Sequence, residues 1–548
     1  MLDSIFKNQL NITFHFGKVK DNFMSSKSVF KSVSTSLPTT DAVNLAGGKA
    51  YSLSAKQAAA QYAVTGTFNG TFYASGNDQL KQIKDLLSKV DPTFIAKLAI
   101  YSRESAYMKD MPAFLLASLS VVDVKLFKQV FPRVADNAKI VRNFVQIIRS
   151  GVVGRKSLGS APKKAIKAWI DARTDEQLFN DSVGNDPSLI DILKLVHAKS
   201  STPSRDALYK YLLKFEGAAS NEHLPAVVKQ LESFKLDPSN LEAPKVSFQM
   251  LTALPLTTKH WTKIAQDAAW QMTRMNLNTF ERHGVFADLS LIDTVALRLK
   301  NEKFISTAKV FPYQLFAAFK SVSATMPVKI KLALQDAMES SVKNVPAFEN
   351  KKVFVGVDIS GSMTGAITGA RGSATSNIVC NEVAALLAAS ILKSNENNCE
   401  VYQFDTECKP MKQLNPRDSI MTNIQKIAFN GGGTDCSAVL RHLNEVKAKG
   451  DLVIIISDNM SWVDMTGYNT VSTNMTTAWK SYKARNKGAK LVCLDLVPQT
   501  HVQVVPSSDV LYVGGFSDSV FDVIREFANS DENNSDYFVN KIETSITL

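Results

Sequence analysis

At residue 351 the chain stops reading as a succession of helices and begins to alternate short apolar strands with amphipathic helices. Lys352 to Ile359 (KVFVGVDI) is a β-rich run, Ile378 to Leu392 a helix, Cys399 to Phe404 a strand and Ser437 to Lys447 a helix. Asp451 to Ser457 (DLVIIIS) is an apolar strand, Thr476 to Lys487 is helical, Lys490 to Val497 is a strand, and Ser519 to Asn529 closes with a helix. Apolar strands separated by helices need cover on both faces, which predicts a doubly wound α/β domain around a parallel sheet. Ligands of such sheets bind beyond the carboxyl ends of the strands.

Three loops at those ends share one chemistry. Asp358-Ile359-Ser360-Gly361-Ser362 follows the first strand, and its sharp turn aims one carboxylate and two hydroxyls at a point. Gly431-Gly432-Gly433-Thr434-Asp435 is glycine-rich, which lets the backbone approach closely before Thr434 offers its hydroxyl. Asp458 ends the most apolar strand. A lone D-x-S-x-S turn is common, but the three loops in this order are specific. Oxygen donors alone fit a hard divalent cation, Mg²⁺ first, with Mn²⁺ or Ca²⁺ as alternatives, and not zinc. Two carboxylates leave such an ion electrophilic, so a further ligand, typically a carboxylate or phosphate, is expected from outside.

Before residue 351 the periodicity is helical. Gln79 to Val90 places Leu80, Ile83, Leu86, Leu87 and Val90 on one stripe; Asp91-Pro92 and Met111-Pro112 each open another helix. Further helices are predicted near 123–131, 136–149, 161–171, 188–197, 204–213 and 224–233. Short turns between helices of similar length favour stacked pairs, a HEAT-like α-solenoid, with a compact bundle as the alternative. The expected organisation is an N-terminal extension over 1–40, a helical repeat domain over 41–350 and the α/β domain over 351–548; 548 residues are too many for one core.

Charge separates the same parts. Residues 351–548 hold 18 Lys and Arg against 21 Asp and Glu, so of the chain's net +12 the first 350 residues carry +15. A basic half beside a weakly acidic one predicts a polyanionic partner for the helices alone. The sharpest cluster is Arg155-Lys156 with Lys163, Lys164 and Lys167; Lys163 and Lys167 share a helix face while Ile166 and Trp169 turn inward. Such a face neutralises phosphates with little regard to sequence, although a merely solvated face has the same composition. His197, after Leu193 and Leu195, is open to either a surface or a core role.

The five cysteines, at 380, 399, 408, 436 and 493, form no CxxC pair and are expected to be reduced packing residues. Met1 to Phe30 contains no clean apolar block, and the longest apolar run, Leu452 to Ile456, is far short of the ~20 residues a membrane span needs. A cytoplasmic protein without a membrane partner is expected.

The metal loops resemble the metal-ion-dependent adhesion site of the von Willebrand A family over residues 353 to about 530, with all five ligand positions present: Asp358, Ser360, Ser362, Thr434 and Asp458. More widely, from roughly 45 to 530, the chain resembles the Ro sixty-kilodalton autoantigen family, a TROVE module followed by an A domain. Gly70-Thr71-Phe72-Tyr73, Gly154-Arg155, Lys164-Ala165-Ile166 through Trp169, Ile192 to His197, Phe311-Pro312-Tyr313 and the string GGTDCS at 432–437 carry the likeness. The resemblance implies a helical ring with a basic hole, closed by the A domain, that admits single-stranded 3′ ends of misfolded or unprocessed structured RNAs. It also implies a Y-type RNA on the outer surface, an exoribonuclease that this RNA tethers in bacterial relatives, and RNA contacts at Arg155, Lys156, Lys163, Lys164, Lys167 and His197. Where the family carries basic residues, Asp175 to Asp186 reads DEQLFNDSVGND, so a Y-type RNA would have to use other lysines. A monomer that does not bind DNA is expected.

Catalytic motifs are missing. Gly48-Lys49-Ala50 lacks the spacing and hydroxyl of a phosphate-binding loop, Gly431 to Gly433 lack the third glycine of a dinucleotide fingerprint, and Ser360 and Ser362 follow no G-x-S-x-G. A non-catalytic RNA-binding protein of RNA surveillance is therefore expected, against the alternative of a metal-dependent protein-interaction scaffold with no RNA role.

Overall fold

The computed structural model describes residues 37–548, apart from 67, 185–186, 309–311, 342–344, 346, 371–377, 428, 430, 463–470 and 531–534. Most of the 1–40 extension, Phe311 and the end of the 175–186 stretch thus lie outside the described residues.

The α/β half is built on six strands in the order β5-β4-β3-β6-β7-β9: β3 Val353–Asp358, β4 Cys399–Phe404, β5 Cys408–Pro410, β6 Leu452–Ser457, β7 Lys490–Asp495 and β9 Val510–Gly514. Both neighbours of β3 run parallel to it, with Val353 beside Cys399 on one side and Leu452 on the other. Every residue of β3 and β6 is buried, as the apolar runs require. Three features depart from the expected pattern. An antiparallel edge strand, β5, pairs Phe404 with Cys408; its three residues are too short to show a period. The strand β9 extends the other edge. The chain does not close with the helix at Asp518–Asn529 but continues into Tyr537–Ser545, whose Phe538, Val539 and Ile542 are buried.

Helix starts in the first half follow their caps. Ser75 accepts from the Asp78 N–H in a capping box that opens Gly76–Ser88, and Asp91 caps Pro92–Glu104 with proline in the first turn. Pro92–Glu104, Asp110–Val122, Val124–Val134, Ala138–Ser150, Ser160–Asp171 and Leu189–Val196 each pack on helices one or two places away in sequence. This succession of local contacts is how a helical repeat array buries its stripes. Beyond Ala226–Leu236 come short helices such as Phe248–Leu251, Trp270–Met275 and Leu277–Arg282, interrupted by the longer Thr258–Asp267, before Leu289–Leu299, Pro312–Ser321 and Val328–Ser341.

Both ends of this array rest on the α/β half. At the start, β1 (Ala42–Val43) pairs with β2 (Lys49–Ser52), and β2 pairs with β8 (His501–Val502), Tyr51 beside Val502. Helix Ala55–Thr65 lies against β9 so closely that a Cβ on Gly514 would stand 2.3 Å from Gln61 Oε1, and Lys56 pairs with Glu543 at 2.6 Å. At the far end Lys320 pairs with Glu382 at 2.5 Å and Glu339 with Lys393 at 2.7 Å. Residues 39–548 form one unit. Among the described residues no helix is long and apolar enough to cross a membrane, and the five cysteines are free, four of them buried.

Candidate metal centre and basic groove

The three loops predicted to hold a cation meet. The Gly361 N–H donates to the Gly432 carbonyl at 2.9 Å, joining the first loop to the second, and the Trp462 N–H donates to the Thr434 carbonyl at 3.2 Å, joining the second to the third. Close approach explains the glycines: a Cβ on Gly433 would lie 2.1 Å from the Trp462 indole nitrogen. Asp358, Ser360, Ser362, Thr434 and Asp458 are all buried. The Ser360 and Ser362 hydroxyls stand 3.2 Å apart, the Ser360 N–H donates to Asp358 Oδ1 at 2.9 Å, and Ser457 Oγ donates to Asp358 Oδ2 at 2.5 Å. The Gln499 amide holds the Asp458 carbonyl at 3.0 Å.

Two carboxyl groups are buried together here. Burial pushes the Asp358 carboxyl above its ordinary range, against the pull of the Ser360 and Ser457 hydrogen bonds. Burial and the nearby charge of Asp358 push Asp458 up as well. Asp458 Oδ1 is buried and has no hydrogen-bond partner among the described residues. An uncompensated buried carboxylate pair costs several kcal/mol, which a cation would offset. Two carboxylates, one of them with an orphaned oxygen, and three hydroxyls thus fit a hard divalent ion. Among the described residues no three His, Cys, Asp or Glu side chains converge as a metal cluster, so any cation here depends on the hydroxyls.

Two neighbours escaped sequence reading. Asp495, at the end of β7, is buried near Asp458 with its Oδ2 unpartnered among the described residues, and burial raises its carboxyl far above the usual range. The only sequence signal was a carboxylate at the end of an apolar strand. Tyr73, from the helical half, lines the same cleft as Ser362 and Asp458. Asp435, by contrast, serves the fold: it accepts from the Ser437 N–H at 2.9 Å and pairs with Arg441.

The basic cluster divides. Lys156 and Lys163, together with Arg149, line an open groove of about 600 Å³ bounded by Ser157, Ser160 and Leu195. The groove sits at the start of helix Ser160–Asp171, whose first N–H groups add positive potential. Lys164 is exposed and Lys167 half-buried on the same helix, and Ile166 and Trp169 are buried as their spacing predicts. Arg155 turns inward, donating to Ser120 Oγ at 2.9 Å. His197 is exposed and adopts φ 52°, ending helix Leu189–Val196 in the left-handed region, so it is not a core histidine. Arg149 was missed because it closes a helix outside the lysine run. In the non-basic stretch, Asp175 pairs with Arg205, whose guanidinium donates to the Ile170 and Arg173 carbonyls. That stretch braces the end of the lysine-bearing helix.

A helical array seated at both ends on a von Willebrand A-type α/β domain defines the class of this protein. Residues 352–528 match the family described as the Ro60 vWA domain. The chain is 23% identical over 541 residues to the RNA-binding protein RO60 of Deinococcus radiodurans, covering 89% of this chain and 95% of that protein. Its fold matches the crystal structure of the Deinococcus radiodurans RO (RSR) protein with a TM-score of 0.59 at 18% identity, over 87% of this chain and 99% of the other.

Proposed function

We propose that this protein binds RNA without catalysis, holding single-stranded 3′ ends of misfolded or structured non-coding RNA in a ring that the A domain closes, as part of RNA surveillance or decay. The observation that carries the reading is the groove lined by Arg149, Lys156 and Lys163 in the strongly basic half of the chain. Three cations beside a helix N-terminus form a surface on which phosphates lose little by leaving water. The seating of both array ends on the A domain supports a closed path for a threaded tail. The similarity to a protein named for RNA binding, over 95% of that protein, supports the polyanion as RNA. A Y-type RNA and a tethered exoribonuclease are further partners of this reading, with the cytoplasm as its location and Mg²⁺ as its cation.

A second reading is a protein-interaction scaffold, favoured by the exposed apolar side chains of Leu289, Leu297, Val328 and Leu332. Filter binding of a labelled hairpin RNA with a 3′ tail, across a salt series, separates the two. Affinity should fall steeply with salt and drop further when Lys156 and Lys163 are both replaced by Glu. No binding at low salt would favour the scaffold.

A further inference from the structure

The cleft where the helical half meets the metal loops has one wall from each. Tyr73 and Gln82 face Ser362, Asp458 and Gln499 across it. The segment that carries Tyr73 is fixed to the A domain on its own account. Asn69 Nδ2 donates to the Thr368 carbonyl at 2.7 Å, the Ala370 N–H donates to the Gly70 carbonyl at 2.7 Å, and Phe72 Cβ lies 3.8 Å from where a Cβ on Gly365 would stand. From the other side, Gln79 Nε2 donates to the Asn69 carbonyl at 2.9 Å. The ring of Tyr73 packs edge-on against Phe72, centroids 4.9 Å apart.

Little space remains between the walls. The cleft holds about 20 Å³, enough for a single water and too little for a carboxylate or phosphate group borne by a partner. A site with this donor set, expected from its sequence to open outward, is capped by the protein's own helical half. We propose that Tyr73 completes the cation site from the helical half through one trapped water, so that the bound ion clamps that half to the A domain instead of taking a ligand from outside. This rests on the assignment of a divalent cation to the three loops. Magnesium-like ions retain waters in their shell, and a phenol that orients such a water acts as a positioning residue on the ion. Binding energy of the ion then becomes contact energy between the two halves.

The full chain titrated with Mn²⁺ tests this, with affinity from calorimetry and hydrogen exchange read over residues 69–82. Wild type should bind Mn²⁺, and the ion should slow exchange at 69–74. Tyr73→Phe, which keeps the ring contact with Phe72, should weaken Mn²⁺ binding by about tenfold and remove most of that protection. Acetate and inorganic phosphate should leave the wild-type affinity unchanged. Wild type that binds Mn²⁺ without added protection at 69–74, or Tyr73→Phe that binds equally well, overturns the clamp and leaves the cation site standing. Tighter binding with acetate or phosphate also overturns it, since the site would then be open. Failure of wild type to bind Mn²⁺, with Asp458→Asn indistinguishable from it, overturns the cation assignment and the clamp together. The exchange measurement on wild type alone, with Mn²⁺ or with chelator, decides the matter even if the variant folds poorly.

Discussion

Glu339, in helix Val328–Ser341, pairs with Lys393 at 2.7 Å and accepts the Ile420 N–H at 2.6 Å, fastening the last long helix of the array to two helices of the A domain. One carboxylate thus serves an ion pair and the start of helix Ile420–Lys426 at once. Both side chains of the pair are about one-third exposed or less, so the ion pair alone contributes modestly and the hydrogen bond to a half-buried N–H adds to it. Glu339→Ala is expected to cost about 1–3 kcal/mol locally, seen as faster hydrogen exchange in 328–341 and 420–426. Glu339→Gln should cost less, because an amide oxygen still accepts. Unchanged exchange in both variants would detach this residue from the seating of the array.

At the other end of the array the fit is steric. A Cβ on Gly514 would meet Gln61 Oε1 at 2.3 Å and Thr65 Cγ2 at 2.7 Å. Gly514→Ala should therefore push helix Ala55–Thr65 away from β9 and lower stability by about 1–3 kcal/mol. Gly488→Ala is the control, since no heavy atom lies within 4 Å of its added Cβ. That change should stay within about 0.5 kcal/mol of wild type in thermal melts. Equal effects of the two would mean that the helix does not bear on the strand.

His501 gives the fold a pH dependence. Its ring is buried on β8 with Nε2 unpartnered among the described residues, and burial lowers its pKa to about 4. The unfolded chain takes up the proton near 6.5, whereas the folded chain resists it. The stability due to the neutral ring is thus fully present above 6.5 and is lost as pH falls toward 4, by about 3 kcal/mol in all. His501→Gln should remove this component. Urea denaturation of both proteins from pH 7 to 4 measures it, and parallel curves would show that His501 does not titrate on unfolding.

The cation assignment predicts a stability effect of its own. Mg²⁺ at 5 mM should raise the melting temperature of wild type by an amount set by mass action, and should leave Asp458→Asn unmoved. An equal shift in both would place the effect elsewhere.

Much of the architecture was legible because the burial pattern is strong. The six-residue runs at Val353–Asp358 and Leu452–Ser457 are apolar on both faces, and each sits in the middle of the sheet. The meeting of the three strand-end loops was legible because their close approach demands glycine at 433, a signal that lies within a few residues of sequence. Contacts between distant segments were not. Tyr73 shares a cleft with Ser362 across almost three hundred positions, and neither residue type announces the other. Arg155 and Lys156 are adjacent and equally basic in sequence, yet one donates to Ser120 while the other faces a groove. The side chain's direction there depends on the turn at Gly154, φ 90°, and on which helix it meets. Strands as short as Cys408–Pro410 carry too few residues for a period to register.

An RNA end that passes through a helical array shut by the A domain must be free, so RNAs with blocked ends test the threading. One tailed hairpin RNA is prepared with streptavidin on a 3′ biotin, with streptavidin on a 5′ biotin, and as a closed circle of the same sequence. Threading predicts full binding of the 5′-blocked RNA and loss of at least about tenfold in affinity for the 3′-blocked and circular forms, close to 1.4 kcal/mol. Equal affinity for all three would contradict it, because a surface that binds without threading does not need a free end.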